Sequence, residues 1–204
     1  MSNLRARQKE DRRNRIVSSA KTMFRQMGYD KTTIEGIAEA AGVSGVTVHN
    51  YYGTKAGVLL ALIIESDELL IEKLQASLPE DPEDLAALVL QFAREVMDHA
   101  IANLDKVIWR QVIAAITTGG ETQLTRAYFK LDQQLALVLV RRIERLQGAG
   151  KLLASIDATH LGKALWHLQN ARFIQFISSD DLSRAEIEKR LRNDLAALFA
   201  VGTG

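Results

Sequence analysis

The chain has 204 residues, 47% apolar and 25% charged, the make-up of an ordinary globular protein with one large domain or two small ones. Two prolines are too few for a loop-rich or all-β chain, and the lack of cysteine excludes a disulfide scaffold, a thiolate zinc site and cysteine catalysis. The net charge of +1 is uneven: residues 1–55 hold ten Lys and Arg against five Asp and Glu, and the remainder holds sixteen against twenty. A basic first quarter on an acidic body fits a nucleic-acid module joined to something else.

Met1 to Arg15 is basic and polar with no apolar run behind it, so no signal peptide is expected. The longest apolar stretch, Val58 to Ile64, is too short to span a bilayer, and the expectation is a soluble, cytoplasmic protein without membrane partners. Ile16, Ala20, Met23, Phe24 and Met27 then line one face of a first helix. Thr32-Thr33-Ile34-Glu35 predicts a capping box opening a short second helix, whose stripe is Ile34, Ile37, Ala38 and Ala41 and whose stop is Gly42. Ser44 caps a third helix to about Tyr51, and Thr54 caps a long fourth helix to about Leu78. Asp81-Pro82-Glu83-Asp84 reads as the next start, with helices over 82–102, 104–116, 121–147, 158–178 and 183–201. Thr118-x-x-Glu121 and Ser183-x-x-Glu186 are further capping boxes. Nothing alternates as a half-buried strand would, so the fold class is all-α with about nine helices.

The first three helices are too few residues to bury a sizeable core alone. The predicted modules are 1–55 and 56–204, with the fourth helix, 54–78, as a rigid connector. Thr33 to Ala41, the turn Gly42-Val43-Ser44, and Gly45 to Tyr51 describe a helix-turn-helix. Val43, Val48 and Tyr52 are expected to point inward, which leaves Gly45, Val46, Thr47, His49, Asn50 and Tyr51 outward. Such a face suits base edges: asparagine pairs bidentately with adenine, and Thr or Val methyls meet the thymine methyl.

The run Thr32-Thr33-Ile34-x-x-Ile37-Ala38-x-x-Ala41-Gly42-Val43-Ser44, followed by Thr47-Val48, Tyr51-Tyr52 and Lys55, resembles the DNA-binding domain of the tetracycline-repressor (TetR) family over residues 12–62. The resemblance implies that the third helix enters the major groove of double-stranded DNA. Thr33 and Lys55 would hold phosphates, and Thr47, His49, Asn50 and Tyr51 would meet bases and backbone. The expected interface is Thr33, Ser44, Gly45, Val46, Thr47, His49, Asn50, Tyr51 and Lys55. Arg5, Arg7, Lys9, Arg12 and Arg13 could reach the backbone or minor groove, with Arg5 and Arg7 read as part of a solvated tail. The family usually has tyrosine where this chain has His49, a basic or polar residue at Gly45 and a small one at Val46.

The resemblance further implies that the body binds a small-molecule effector and that its last two helices form a homodimer. Leu161, Leu165, Leu168 and Phe176 on the eighth helix, with Ile187, Leu191, Leu195 and Leu198 on the ninth, give stripes suited to an isologous interface. Candidate effector contacts are Phe92, His99, Trp109, Ile113, Tyr128, Trp166 and His167, with a largely apolar effector expected because no arginine cluster marks a polyanion site. His160 and His167 share a helix face, but no third ligand marks a metal site, and no cofactor is expected. No GxSxG, HExxH, P-loop or paired Glu-x-x-His set is present, so a regulator is favoured over an enzyme. A helical protein-interaction adaptor and a ligand-dependent activator are the alternative readings.

Overall fold

The computed structural model describes residues 2–82, 84–118, 120 and 122–200, with the side chains of residues 2 and 3 left aside. Glu121, half of one predicted capping box, and Glu83 fall outside the described residues. Among the described residues there are nine helices and no strand: α1 (Ser2–Met27), α2 (Ile34–Ala41), α3 (Gly45–Tyr52), α4 (Lys55–Ser77), α5 (Leu85–Asn103), α6 (Lys106–Thr118), α7 (Gln123–Gly148), α8 (Ala158–Ser178) and α9 (Arg184–Ala200). The chain divides into two compact units, Met1–Asp67 with Val107–Phe129, and Glu68–Lys106 with Lys130–Gly204. Both α4 and α7 therefore contribute residues to each unit.

In the first unit α1 packs on α2 and α2 on α3. Ile16, Ala20, Phe24, Ile37 and Val48 are fully buried in the core of this unit, whereas Met23 is half-buried and Met27, expected on the same face, is 43% exposed at the end of α1. The turn between α2 and α3 closes as a Schellman motif: the Val43 amide donates to Ala38 O at 2.9 Å, and Gly42 holds φ 64°, ψ 40°. The Arg15 guanidinium donates to Ala41 O at 3.0 Å, satisfying another carbonyl at the same helix end.

Several helix starts differ from the sequence pattern. Thr33, not Thr32, is the N-cap of α2, its hydroxyl accepting from the Gly36 amide at 3.0 Å. Thr32 is buried and donates to Gly28 O at 2.8 Å, while its own amide donates to Tyr29 O. Glu35 is thus left as a first-turn charge without the reciprocal bond of a capping box. α5 starts at Leu85 under Asp84, whose carboxylate accepts from the Ala87 amide at 2.7 Å; Asp81 instead takes the Lys151 ammonium, also at 2.7 Å. Thr118 ends α6, and the Thr122 hydroxyl accepts from the Thr125 amide at the start of α7. Ser183 does cap α9, accepting from Glu186 N at 3.2 Å, while the Glu186 carboxylate pairs with Arg190.

The second unit has a larger core, built from Leu70, Leu74 and Leu78 of α4, Leu88, Val89 and Phe92 of α5, Leu139 and Ile143 of α7, Leu165 and Trp166 of α8, and Leu191 and Leu195 of α9. Gly162 lets α8 approach α7 closely: a Cβ there would sit 2.6 Å from Val140 Cγ2 and 3.0 Å from its backbone. Polar side chains anchor the loops. Arg142, 5% exposed, donates to Gln75 O at 2.8 Å and to Glu80 Oε1 at 2.9 Å. The Lys106 ammonium donates to Ser179 O and Leu182 O, both at 2.8 Å, and lies 3.9 Å above the Phe176 ring.

Candidate nucleic-acid interface

The eight residues of α3 make a helix about 12 Å long, short enough to lie across one major groove. Ser44 caps it, its hydroxyl accepting from the Thr47 amide at 3.2 Å and lying 2.9 Å from the Thr47 hydroxyl. Val48 and Tyr52 anchor the inner side at 0% and 6% exposure, as the spacing predicts, while Val43 is half-buried. The opposite side presents Val46, 69% exposed, with His49 and Asn50 exposed and Gly45, Thr47 and Tyr51 half-exposed. No Asp, Glu, Lys or Arg interrupts this helix.

Gly57 sets the junction between α3 and α4. A Cβ at this position would meet Tyr52 O at 2.0 Å and Leu124 Cδ1 at 3.2 Å, so only glycine allows the last carbonyl of α3 to lie against the first turn of α4. Thr54 begins that turn, its hydroxyl accepting from the Gly57 amide at 3.0 Å. The Tyr52 phenol, raised in pKa by burial with Arg13 acting in the opposite direction, remains neutral at physiological pH.

Lys55 has an internal seat. Its ammonium donates to Tyr29 O at 2.7 Å and to Asp30 O at 3.4 Å, and lies 4.3 Å above the Tyr29 ring. The lysine therefore ties α4 to the turn between α1 and α2, a partner pair with no sequence signal because 25 and 26 residues separate its ends. Thr33 is exposed at the start of α2, and the exposed Lys31 stands two residues before it, a cation that the motif reading passed over. α1 runs from Ser2, so Arg5 and Arg7 belong to a helix rather than a tail; Leu4 to Glu10 are nearly all strong helix formers. Arg5, Arg7, Lys9 and Arg13 are exposed on it and Arg12 is half-buried.

The residues selected for a dimer contact sit mostly inside the second unit. Leu165, Phe176, Ile187, Leu191 and Leu195 are at most 6% exposed, Leu161 and Leu168 are half-buried, and Leu198 is 55% exposed. The outward face of α8 is a different stripe: His160, Ala164, His167, Ala171 and Ile174. The effector candidates are divided between units. In the second, the Phe92 and Trp166 rings meet edge to face at 5.8 Å, and Trp166 Nε1 donates to Asp132 Oδ1 at 3.0 Å. Burial raises the Asp132 carboxyl, against the Trp166 hydrogen bond and the charge of His167. His99 in that unit faces the Asn103 amide at 3.3 Å, and His167 is exposed. In the first unit Trp109 is buried, Ile113 is half-buried, and Tyr128 meets Phe129 edge to face. Among the described residues no three His, Cys, Asp or Glu side chains cluster to hold a metal, and no helix is long and apolar enough to cross a membrane.

Residues 16–62, α1 through the first turns of α4, match the family model for bacterial regulatory proteins of the tetR family. A curated relative, the HTH-type transcriptional regulator HbdR of Aromatoleum sp. (strain CIB), is 29% identical over 118 residues, which are 58% of this chain and about half (48%) of the relative. Among solved structures, FadR of Thermus thermophilus, a TetR family transcriptional repressor in complex with lauroyl-CoA, aligns with TM-score 0.69 and 24% identity over 92% of this chain and 93% of its own. A transcriptional regulator from Saccharomonospora viridis in complex with choline aligns with TM-score 0.63 and 20% identity over 89% and 93%. Residues 16–62 thus match the tetR-family model, and the all-helical fold is shared with these solved regulators.

Proposed function

We propose that the protein is a ligand-responsive repressor that works in the cytoplasm, binds a pseudo-palindromic operator as a homodimer, and performs no catalysis. Residues 1–55 form the DNA-binding module, and residues 56–204 bind the effector and the second copy. The observation that carries this reading is α3, an uncharged helix with Val46, His49 and Asn50 outward and a buried anchor behind it. Asn50 reads a base edge, His49 and Tyr51 reach base or backbone, and Thr47, Gly45 and Ser44 allow the helix end to approach closely. Thr33 receives a phosphate at the start of α2, and Lys55 adds positive charge beside it.

Two copies would set their recognition helices ~34–36 Å apart or somewhat more, matching one turn of DNA. The outward stripe of α8, with small residues at Ala164 and Ala171, supports close approach of a second copy along that helix. The effector is a small, largely apolar molecule. The two solved relatives carry lauroyl-CoA and choline, ligands of unlike chemistry, which supports an effector-binding body without naming its effector. Effector and DNA are coupled reciprocally through α4, which has residues in both units, so an effector that releases DNA is itself bound less tightly by the DNA complex.

Selection from a random duplex pool at ~150 mM salt, where sequence-independent binding is weak, tests the reading. A two-fold-symmetric enriched site is expected. Absence of enrichment, both with protein alone and with cell extract added to supply an effector, would overturn it.

A further inference from the structure

Toward its start, α1 runs beyond the core that holds it. Its first buried residue is Ile16, and Leu4 to Asp11 are exposed without exception. Residues 4–15 carry six Lys and Arg against two Asp and Glu, in a chain whose net charge is only +1. Arg5, Lys9 and Arg12 stand at i, i+4 and i+7, one line along the helix that Ile16 continues into the core at i+11.

That line is locally unfavourable, because like charges one helical turn apart repel. The nearby acids do not relieve it: Asp11 lies 3.4 Å from Arg15, and Glu10 is off the line, its charge acting on Tyr52. Among the described residues, Arg5, Lys9 and Arg12 have no carboxylate within ion-pair reach. A row of unpaired cations, held where local preference opposes it, is the mark of a contact surface. Its place is beside the helix-turn-helix, since Arg15 donates to Ala41 O at the turn leading into α3. From Arg5 to Arg12 the line spans about 10 Å, over which one DNA strand presents about three phosphates.

We propose that Arg5, Lys9 and Arg12 form a second contact with DNA, a cationic arm on the phosphates beside the groove that α3 enters. The arm supplies charge and no base readout, so it raises affinity for every duplex alike. It rests on the reading of this chain as a DNA-binding regulator, and it adds residues outside the interface assigned there.

The test compares substitutions of equal charge on opposite sides of α1: Lys9→Gln on the line, and Arg7→Gln about 160° around the helix from it. Full-length protein is titrated onto a random-sequence duplex and onto the selected operator, from ~50 to ~200 mM salt. Lys9→Gln should weaken both by about 5-fold at ~150 mM and lower the slope of log affinity against log salt by about 0.9. Joined to Arg5→Gln and Arg12→Gln, it should lower the slope by about 2.7. Arg7→Gln should leave affinity and slope as in the parent. The melting temperature should hold in every variant, since none of these side chains belongs to the core. The proposal is overturned if Arg7→Gln weakens binding as much as Lys9→Gln, the result expected of diffuse net charge, or if the triple variant keeps the parent slope. A deficit confined to the operator would also overturn it, because the arm would then read sequence. The random duplex reports on the arm by itself, so failure to select an operator would overturn the repressor reading and leave this result standing. A parent protein that binds no duplex at all would overturn both.

Discussion

α3 and α8 are both amphipathic, yet their outward faces carry different kinds of information. The eight residues of α3 spend two side chains on anchoring and leave the others outward or nearly so, so naming its polar residues already names its candidate contacts. The 21 residues of α8 have a long apolar stripe, but that stripe is buried inside its own unit, and the outward face is the less conspicuous row of alanine and histidine. An apolar stripe records that a face is covered, not what covers it. A short, capped helix with one wall behind it leaves no such choice.

The sharpest way to break this comparison is to disturb each helix at the glycine through which it packs on the next, Gly57 against α3 and Gly162 within α8. Gly57→Ala drives a methyl into Tyr52 O and should cost about 3 kcal/mol or more, abolishing DNA binding along with the first unit's cooperative melting. Gly162→Ala meets a side-chain methyl of Val140 before backbone, so a smaller loss of about 1–3 kcal/mol in thermal unfolding is expected. If both variants melt alike, the distinction between a backbone clash and a side-chain clash fails.

Asn50→Ala tests whether the outward face of α3 is functional without being structural. It should leave the melting temperature unchanged and cost about 1–3 kcal/mol at one base step of the selected operator. Equal weakening on random duplex would remove the base-reading role. Lys55→Ala should behave differently on both counts. It removes the bonds to Tyr29 O and Asp30 O, so stability falls, by about 1 kcal/mol, together with affinity for every duplex. If its charge is also spent on a phosphate, the slope of log affinity against log salt decreases by about 0.9.

The smallest effect concerns Asp132. Its carboxyl is raised by burial, so the folded state holds the proton at a pH where the unfolded chain has released it. That contribution is favourable below the unfolded carboxylate value, about pH 4, and is lost as pH rises through the folded value. Asp132→Asn retains an acceptor for Trp166 Nε1 and cannot ionise. Its melting temperature should therefore move above that of the parent by about 2 °C or less as pH rises toward 7, the gap closing in acid. A gap that widens in acid would reverse the assignment.

Local chemistry was legible in the residues. The α2 and α3 boundaries, the Gly42 turn, and the Ser44, Thr54 and Ser183 caps depend on neighbours within a few positions, and they stand where the pattern puts them. Where two caps compete, the pattern falters. Thr32 and Thr33 are equally good caps in isolation, and burial of Thr32 against Gly28 O gives the role to Thr33. Asp81 and Asp84 compete likewise, and Lys151, 70 positions away, takes Asp81. Lys55 resembles a phosphate ligand by motif, and only folding brings Tyr29 beneath it.

The sequence by itself determined an all-helical chain whose basic first quarter holds a helix-turn-helix, because helical period, capping and glycine turns act over three or four residues. Tertiary structure alone decided which apolar stripes are consumed internally, which carboxylates Arg94, Arg172 and Arg184 meet, and that Gln169 Oε1 is buried without a hydrogen-bond partner. Those outcomes depend on partners scores of residues apart, whose approach is governed by packing of the whole unit rather than by any local preference.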